Sequence, residues 1–265
     1  MADELIRWWS ALTTEEVAKL AKRDPVAVLP LGSTEQHGPH LPLSTDLDIA
    51  LGLLATAFRT IGDVPALAMP PQAVGSSREH ARFPGTLSLE PDLLANLIDE
   101  IGAALAACGI RRLVLANAHG GNRHALDAAG LRLRDEHDML VVKASWFRFP
   151  RPEGVDLPES EWRHGLHGGA VETAMMLHLR PDLVRRERAA AARSLGEELE
   201  GKLGRLGPDG EASFSWLAGD LHASGVVGDA RRADPDMGAR LVEHYGAVLA
   251  QVIRDARAFP LDRLG

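Results

Sequence analysis

Apolar residues along the chain fall into short continuous runs and into longer stretches with helical spacing. Short runs bounded by turn residues are typical of buried strands. They lie at Val26–Leu31 and at residues 66–69, 112–116 and 140–144. Stretches with helical spacing and helix-capping residues predict helices. These lie at residues 13–21 and 48–58, at Pro91–Ala107 and at residues 124–135.

Predicted strands and helices therefore alternate from Val26 to Ala144. This alternation is typical of an α/β fold with a parallel or mostly parallel sheet and helices on both faces. In such folds, ligands bind beyond the carboxyl ends of the strands. We therefore expect any functional site to lie just after the predicted strands.

The second half of the chain is predicted to contain helices and loops. Residues 148–169 look loop-rich, Ala170–Leu179 and the amphipathic stretch Pro235–Ala258 are predicted helices, and residues 194–215 are a predicted exposed excursion. Residues 72–86 form a predicted long loop, and such loops are often functional. No linker divides the sequence, so we expect residues 1–265 to form one domain.

Composition excludes several classes of partner. The formal net charge of −8 argues against nonspecific binding to nucleic acid or to anionic membranes. No apolar stretch reaches the length of a membrane-spanning helix and no secretory signal is seen, which favours the cytoplasm. The single cysteine, Cys108, cannot form an intramolecular disulfide and is expected to be a buried structural thiol.

Carboxylates and imidazoles follow two of the predicted strands. Glu35 and His37 come after the first strand, and residues i and i+2 of an extended chain project to the same side. Asp46 follows a Gly- and Pro-rich loop, and His119 comes after the third strand. Mixed carboxylate and imidazole ligands suit zinc, manganese, iron or cobalt better than calcium. The sequence therefore predicts a cluster of divalent metal ions and a hydrolase.

Each motif alone also has a simpler explanation. Exposed Glu and His are common, and the loop around His119 can be a tight turn. Glu172, in the first turn of a predicted helix, is favoured there by the helix dipole, but it can also complete a second metal site. His167 precedes this helix and can act as a general acid or merely cap the helix.

Three further residues are predicted to line a substrate pocket, each with a structural alternative. Glu79 and His80 lie in the long loop, where loop packing is the alternative role. Asn122 either hydrogen-bonds a ligand or holds the Gly120-Gly121 turn.

Five motifs together resemble the creatininase (creatinine amidohydrolase) family. The three that carry the candidate ligands are GSTEQHGPHLP at residues 32–42 with Thr45-Asp46, NAHGGN at residues 117–122, and HGGAVET at residues 167–173. The two others are GSSREHARFPGT at residues 75–86 and SGVVGD at residues 224–229. They occur in family order and span most of the chain.

The resemblance implies a three-layer α/β/α sandwich and two divalent metal ions per chain, with zinc expected and manganese or iron as alternatives. Glu35 and His119 would hold one ion, His37 would hold the other, and Asp46 would bridge them. Glu172 resembles the acidic residue that completes the second site in many members. Creatininase itself takes that ligand from beside the histidine of the second motif, where this chain has Gly120-Gly121, so creatinine is not the expected substrate.

The family resemblance also implies the type of reaction. Members hydrolyse C–N bonds of small or cyclic amides with a metal-activated water, and they include a peptidase for the precursor peptide of a redox cofactor. A small-molecule amide is therefore the expected substrate, with a small modified peptide or a non-catalytic ligand-binding role as alternatives. His167 is the candidate proton donor to the leaving nitrogen, with Glu172 or a water as the alternative. A homo-oligomer, hexameric by resemblance to creatininase, is expected.

Overall fold

A computed structural model describes residues 6–264 of the chain. The helices of this range are α1 (Thr14–Ala21), α2 (Thr45–Thr60), α3 (Pro91–Ala107), α4 (Arg123–His137), α5 (Glu159–His164), α6 (Ala170–Leu179), α7 (Leu195–Leu199), α8 (Ala218–Leu221) and α9 (Pro235–Ala258). The strands are β1 (Val26–Leu31), β2 (Ala66–Ala68), β3 (Arg112–Asn117), β4 (Leu140–Ser145), β5 (Ala191–Ala192), β6 (Leu206–Gly207), β7 (Ala212–Ser213) and β8 (Gly228–Asp229).

Strands β1 to β4 form one parallel central sheet in the order β2-β1-β3-β4. In the middle pair, Val26 lies opposite Arg112 and Leu31 lies opposite Asn117. The carboxyl ends of β1 and β3 therefore lie side by side, which brings together the two segments that carry Glu35, His37 and His119.

Helices cover both faces of this sheet. Side chains of β1 alternate between the two faces: Val26 and Val28 pack with α2, α6 and α9, whereas Ala27, Leu29 and Leu31 pack with α3 and α4. Both faces of the strand are buried, which explains its continuous apolar run. The predicted α/β class and the three-layer arrangement are confirmed.

The stretch predicted to be loop-rich is largely irregular and contains one short helix, α5. Two local predictions were wrong. Helix α2 begins at Thr45 rather than at residue 48, because Thr45 Oγ1 donates to Pro42 O at 2.7 Å and closes the preceding turn. Cys108 is exposed, because it ends α3 just before Gly109, whose φ of 83° turns the chain away.

The predicted long loop and the predicted exposed segment are both present in the structure. The loop predicted at residues 72–86 contains a single 3-10 turn, Arg78–His80, and buries Ser76, Ser77 and His80. Residues 194–215 are mostly exposed and carry α7 and the short β6–β7 pair. Among residues 6–264, we find no helix that is both long enough and apolar enough to cross a membrane. The single domain over residues 1–265 stays a prediction, and residues 1–5 and 265 lie outside the described residues.

Candidate metal centre

Five side chains predicted as metal ligands converge at the carboxyl end of the sheet. Glu35 and His37 follow β1, and His119 follows β3. Asp46 lies in the first turn of α2, and Glu172 lies in the first turn of α6. Four of the five are buried, and the Glu172 side chain is 13% exposed.

Asp46 is shared by two groups of candidate ligands. Its Oδ2 lies 3.1 Å from His119 Nδ1, which is also 3.3 Å from Glu35 Oε1. Its Oδ1 lies 3.2 Å from His37 Nε2, which is 3.9 Å from Glu172 Oε2. The ligand atoms of Glu35, Asp46 and His119 lie within 4.8 Å of one another, and so do those of His37, Asp46 and Glu172. Each of these two groups can hold one ion.

Glu35 carries the strongest sign that a cation belongs here. Both of its carboxylate oxygens are buried, and neither accepts a hydrogen bond from any residue in the described range. The nearby nitrogens of His119 and His80, at 3.3 and 3.4 Å from Oε1, are close enough for charge attraction but are not hydrogen-bonded to it. Because a buried carboxylate that accepts no hydrogen bond is costly, a metal ion fits this position.

Charges within the cluster shift the pKa values of its acids. Burial opposes ionisation of Glu35, but the nearby charge of His119 outweighs it and lowers the pKa of Glu35 to about 2. Burial acts in the same sense on Asp46, where His37 and His119 hold the pKa well below its usual range. Both carboxylates are therefore in the anionic form that binds metal.

The pKa values of the two candidate histidine ligands move in the opposite direction. Burial disfavours the charged form of His37, but Asp46 outweighs it and raises the pKa to about 9. Glu35 and Asp46 likewise outweigh burial at His119 and raise its pKa well above the usual range. The acids therefore strongly favour positive charge between them, and two divalent cations could supply that charge in place of the protons on the histidines.

The outward ring nitrogens of both histidines are fixed by backbone carbonyls. His37 Nδ1 donates to Glu35 O at 3.2 Å, and His119 Nε2 donates to Ser76 O at 3.0 Å. This leaves His37 Nε2 and His119 Nδ1 as the ligand atoms, in the manner of metal-binding histidines whose second nitrogen is hydrogen-bonded. Ser33 Oγ similarly donates to Asp46 Oδ2 at 2.8 Å.

His167 lies in the cluster between two other imidazoles. Its ring centroid is 4.1 Å from that of His37 and 4.2 Å from that of His80. Its Nε2 is 2.7 Å from Gln36 O, and since a carbonyl only accepts, this nitrogen carries a proton. Its Nδ1 faces Glu35 Oε1 at 3.7 Å. Burial, reinforced by His37 and His80, lowers the pKa of His167 well below its usual value.

Gln36 lies within the candidate site, although sequence reasoning did not single it out. Its Nε2 lies 2.8 Å from His80 Nδ1 and 3.1 Å from Gly225 O, while its Oε1 accepts from Gly38 N. In an extended chain, alternation would turn Gln36 away from the side of Glu35 and His37. The side chain of Gln36 nevertheless lies in the cluster, in contact with His80 and Gly225.

Glu79 and His80, the predicted pocket residues of the long loop, lie beside the candidate metal centre. Glu79 Oε1 lies 3.6 Å from His119 Nε2, and its side chain is 21% exposed. Burial raises the pKa of Glu79 and lowers the pKa of His80 to about 4. Burial also raises the pKa of Glu172 to about 7. A substrate contact for Glu79 and His80 stays a prediction.

The contacts of Asn122 favour its structural alternative. Its Nδ2 donates to Gly32 O and to Asn117 Oδ1, both at 3.1 Å, and its Oδ1 accepts from Ser76 N at 2.9 Å. The side chain is fully buried. The assignment of Asn122 to substrate binding stays a prediction, although these contacts leave its amide occupied by the protein.

We expect Asn122→Asp to lower the free energy of unfolding by about 2 kcal/mol, because a carboxylate oxygen would then face two acceptors inside the protein. Urea denaturation measures this loss. If the variant instead keeps full stability and only KM rises, Asn122 binds substrate and does not hold the loop.

Comparison with known proteins places this geometry in a family context. The family model described as "Creatininase: Creatinine amidohydrolase" matches residues 10–253. A mycofactocin precursor peptide peptidase of Mycobacterium tuberculosis (strain CDC 1551 / Oshkosh) is 41% identical over 64% of this chain. The match spans only 65% of the length of that relative. The same enzyme of Mycolicibacterium smegmatis is 34% identical over 88% of this chain and 85% of its own.

A solved creatininase also resembles this chain. It is a mutant described as Zn-Zn type, with 30% sequence identity and a TM-score of 0.71. The superposition covers 94% of this chain and 97% of the other.

Proposed function

Because the chain belongs to the creatininase (creatinine amidohydrolase) family, we propose that it hydrolyses a C–N bond with the help of bound divalent metal ions. The observation that carries the proposal is the buried, unpartnered carboxylate of Glu35 next to Asp46. A purely structural cluster would give such a carboxylate hydrogen-bond donors.

We assign one ion to Glu35, Asp46 and His119 and a second to His37, Asp46 and Glu172. The two oxygens of Asp46 point to different histidines, which supports a bridging role. Zinc is the proposed metal, with manganese or iron as alternatives, because the site mixes carboxylates with imidazoles. Such ions lower the pKa of a bound water and polarise a carbonyl oxygen.

His167 is the proposed proton carrier, and Nδ1 is the atom that would carry the proton. Its Nε2 proton is held by Gln36 O, whereas Nδ1 faces the acidic centre. In this scheme Nδ1 takes a proton from the attacking water and returns it to the leaving nitrogen, which would otherwise depart as a very poor leaving group. Burial of the imidazole cluster excludes bulk water from these transfers.

The proposed substrate is a C–N bond in a short modified peptide, and a small or cyclic amide is the second candidate. The two mycobacterial peptidases, at 34% and 41% identity, support the peptide. Creatinine itself is not proposed, because Gly121 supplies no acidic ligand beside His119, and a Cβ at Gly121 would lie 2.1 Å from Ser76 O. A homo-oligomeric state and a cytoplasmic location stay predictions.

Metal analysis combined with an activity screen tests the proposal. We expect inductively coupled plasma mass spectrometry to find about two metal ions per chain, since the proposed site binds two ions. Chelation should abolish hydrolysis of short peptides or cyclic amides, and adding back zinc or manganese should restore it. Full hydrolytic activity in thoroughly metal-depleted protein would overturn the proposal, and so would protein that binds no metal at all.

A further inference from the structure

Glu161, in α5, is a buried acidic residue that lies outside the candidate metal centre. The residue is 7% exposed, and basic side chains near it pair with other acids: His164 Nε2 lies 3.0 Å from Glu200 Oε2, and Arg232 Nε lies 3.3 Å from Asp229 Oδ2. Its Oε1 accepts from Ala170 N at 2.7 Å, and its Oε2 accepts from Asp229 N at 2.8 Å. One carboxylate thus joins the first residue of α6 to β8.

Three glycines enclose this carboxylate. A Cβ added at Gly165, Gly169 or Gly228 would lie 2.6 Å from Glu161 Oε1. Gly228 also has a φ of 128°, which side-chain-bearing residues rarely adopt. The backbone therefore packs tightly around the carboxylate. Gly165, Gly169 and Gly228 leave room for it only because they have no side chains.

Burial of this acid has a cost that must be offset. Desolvation raises the pKa of Glu161, and the two backbone N–H groups, together with the charge of Arg232, only partly counter this effect. At Ala170 the carboxylate also meets the positive end of the α6 dipole, which favours an anion. These contacts fix the backbone where α6 begins.

That backbone segment carries two residues of the proposed site. Ala170 lies three residues after His167 and two before Glu172, and Gly168 N donates to Glu172 Oε2 at 2.6 Å. On the other side, Val227 N donates to His167 O at 2.7 Å. A Cβ at Gly168 would lie 3.3 Å from Val226 Cγ2. Residues 226–229 and Glu161 therefore hold residues 167–172 from two directions.

We propose that Glu161 is a positioning residue for the second metal ion: it anchors residues 167–172 so that Glu172 meets His37 and Asp46. This inference rests on the proposed function. It also assigns a role to residues 224–229, a motif of the sequence that supplies no candidate metal ligand. Residues 226–229 contact both Glu161 and His167, and so they hold the same segment from the side opposite Glu161.

The test is the metal stoichiometry of Glu161→Gln. The amide keeps one acceptor oxygen, but its NH2 group must face either Ala170 N or Asp229 N, so one anchor is lost. We expect the wild type to hold two ions and Glu161→Gln to hold the second roughly 10-fold to 100-fold more weakly, as for other residues that orient metal ligands. The first ion, at Glu35, Asp46 and His119, should bind unchanged. A zinc titration with a competing chromophoric chelator measures both affinities.

Asp24→Asn is the matched control for lost stability. Asp24 accepts from Arg112 Nε and Nη2 where β3 begins, at the end of the sheet away from the metal centre. The Asp24→Asn variant should have a lower unfolding temperature and unchanged affinities for both metal ions. If Glu161→Gln does not fold, Glu161→Asp replaces it, because it keeps the charge but is too short to reach both N–H groups.

The outcomes separate the two proposals. Wild-type protein that binds no metal would overturn the proposed function. Wild-type protein with two ions and a variant with two equally tight ions would overturn the role of Glu161 alone. Equal weakening of both ions would also overturn it, since that result shows a general loss of structure.

Discussion

Asp46→Asn is expected to lose both metal ions and to reduce hydrolysis on the order of 10³-fold or more, since metal ions contribute several kcal/mol of transition-state stabilisation. Asp46 is the one residue common to both proposed ion sites, and it is 2% exposed. Its replacement by a neutral amide leaves His37 and His119 facing each other with less negative charge to hold cations. Metal content and kcat/KM of the purified variant measure the effect.

Asp48→Asn is the matched control for this experiment. Asp48 lies in the same first turn of α2, but its carboxylate accepts from Ser44 Oγ at 2.7 Å and lies 3.3 Å from Arg180 Nη1. We expect this variant to keep both ions and nearly full activity. If Asp46→Asn retains two ions and full turnover, the binuclear assignment is wrong.

Gly238→Ala is expected to lower the free energy of unfolding by about 2 kcal/mol or more, as overpacking of a core does. A Cβ at this position in α9 would lie 1.9 Å from Ala174 O and 2.6 Å from Ala174 C, both backbone atoms of α6. Backbone cannot rotate away, so the two helices must separate. We expect the unfolding temperature to fall by roughly 4–8 °C for a protein of this size.

Gly130→Ala is the control for the intrinsic effect of alanine in a helix. In α4, a Cβ at this position would lie 3.5 Å from Val141 Cγ1, an ordinary contact. It should stabilise the protein by roughly 0.5–1 kcal/mol, because glycine is a poor helix former. Calorimetry measures the unfolding temperatures of both variants. Equal unfolding temperatures would show that α6 and α9 do not need close contact at Gly238.

The sheet and its main helices could be predicted from the sequence because their signals are local. Val26–Leu31 is a continuous apolar run, and a strand that is buried on both faces needs such a run. Ends of elements were predicted less well. The start of α2 depends on a hydrogen bond from Thr45 to Pro42, and the exposure of Cys108 depends on which way the chain leaves α3.

The candidate site was predictable in part for the same reason. Residues that follow adjacent parallel strands must meet at one edge, so Glu35, His37 and His119 could be grouped from the sequence. The involvement of Gln36 could not, because its partners His80 and Gly225 lie 44 and 189 residues away. The anchor at Glu161 could not either, since its partners Ala170 and Asp229 lie 9 and 68 residues away.

The sequence by itself determined the alternating elements, the family resemblance and the residue types that gather beyond β1 and β3. Only the tertiary structure decided that the two oxygens of Asp46 face different histidines and that Glu35 has no hydrogen-bond donor. The difference has a physical cause. Periodicity and capping act within a few residues, whereas the direction of each carboxylate oxygen depends on how segments that are distant in the sequence pack together.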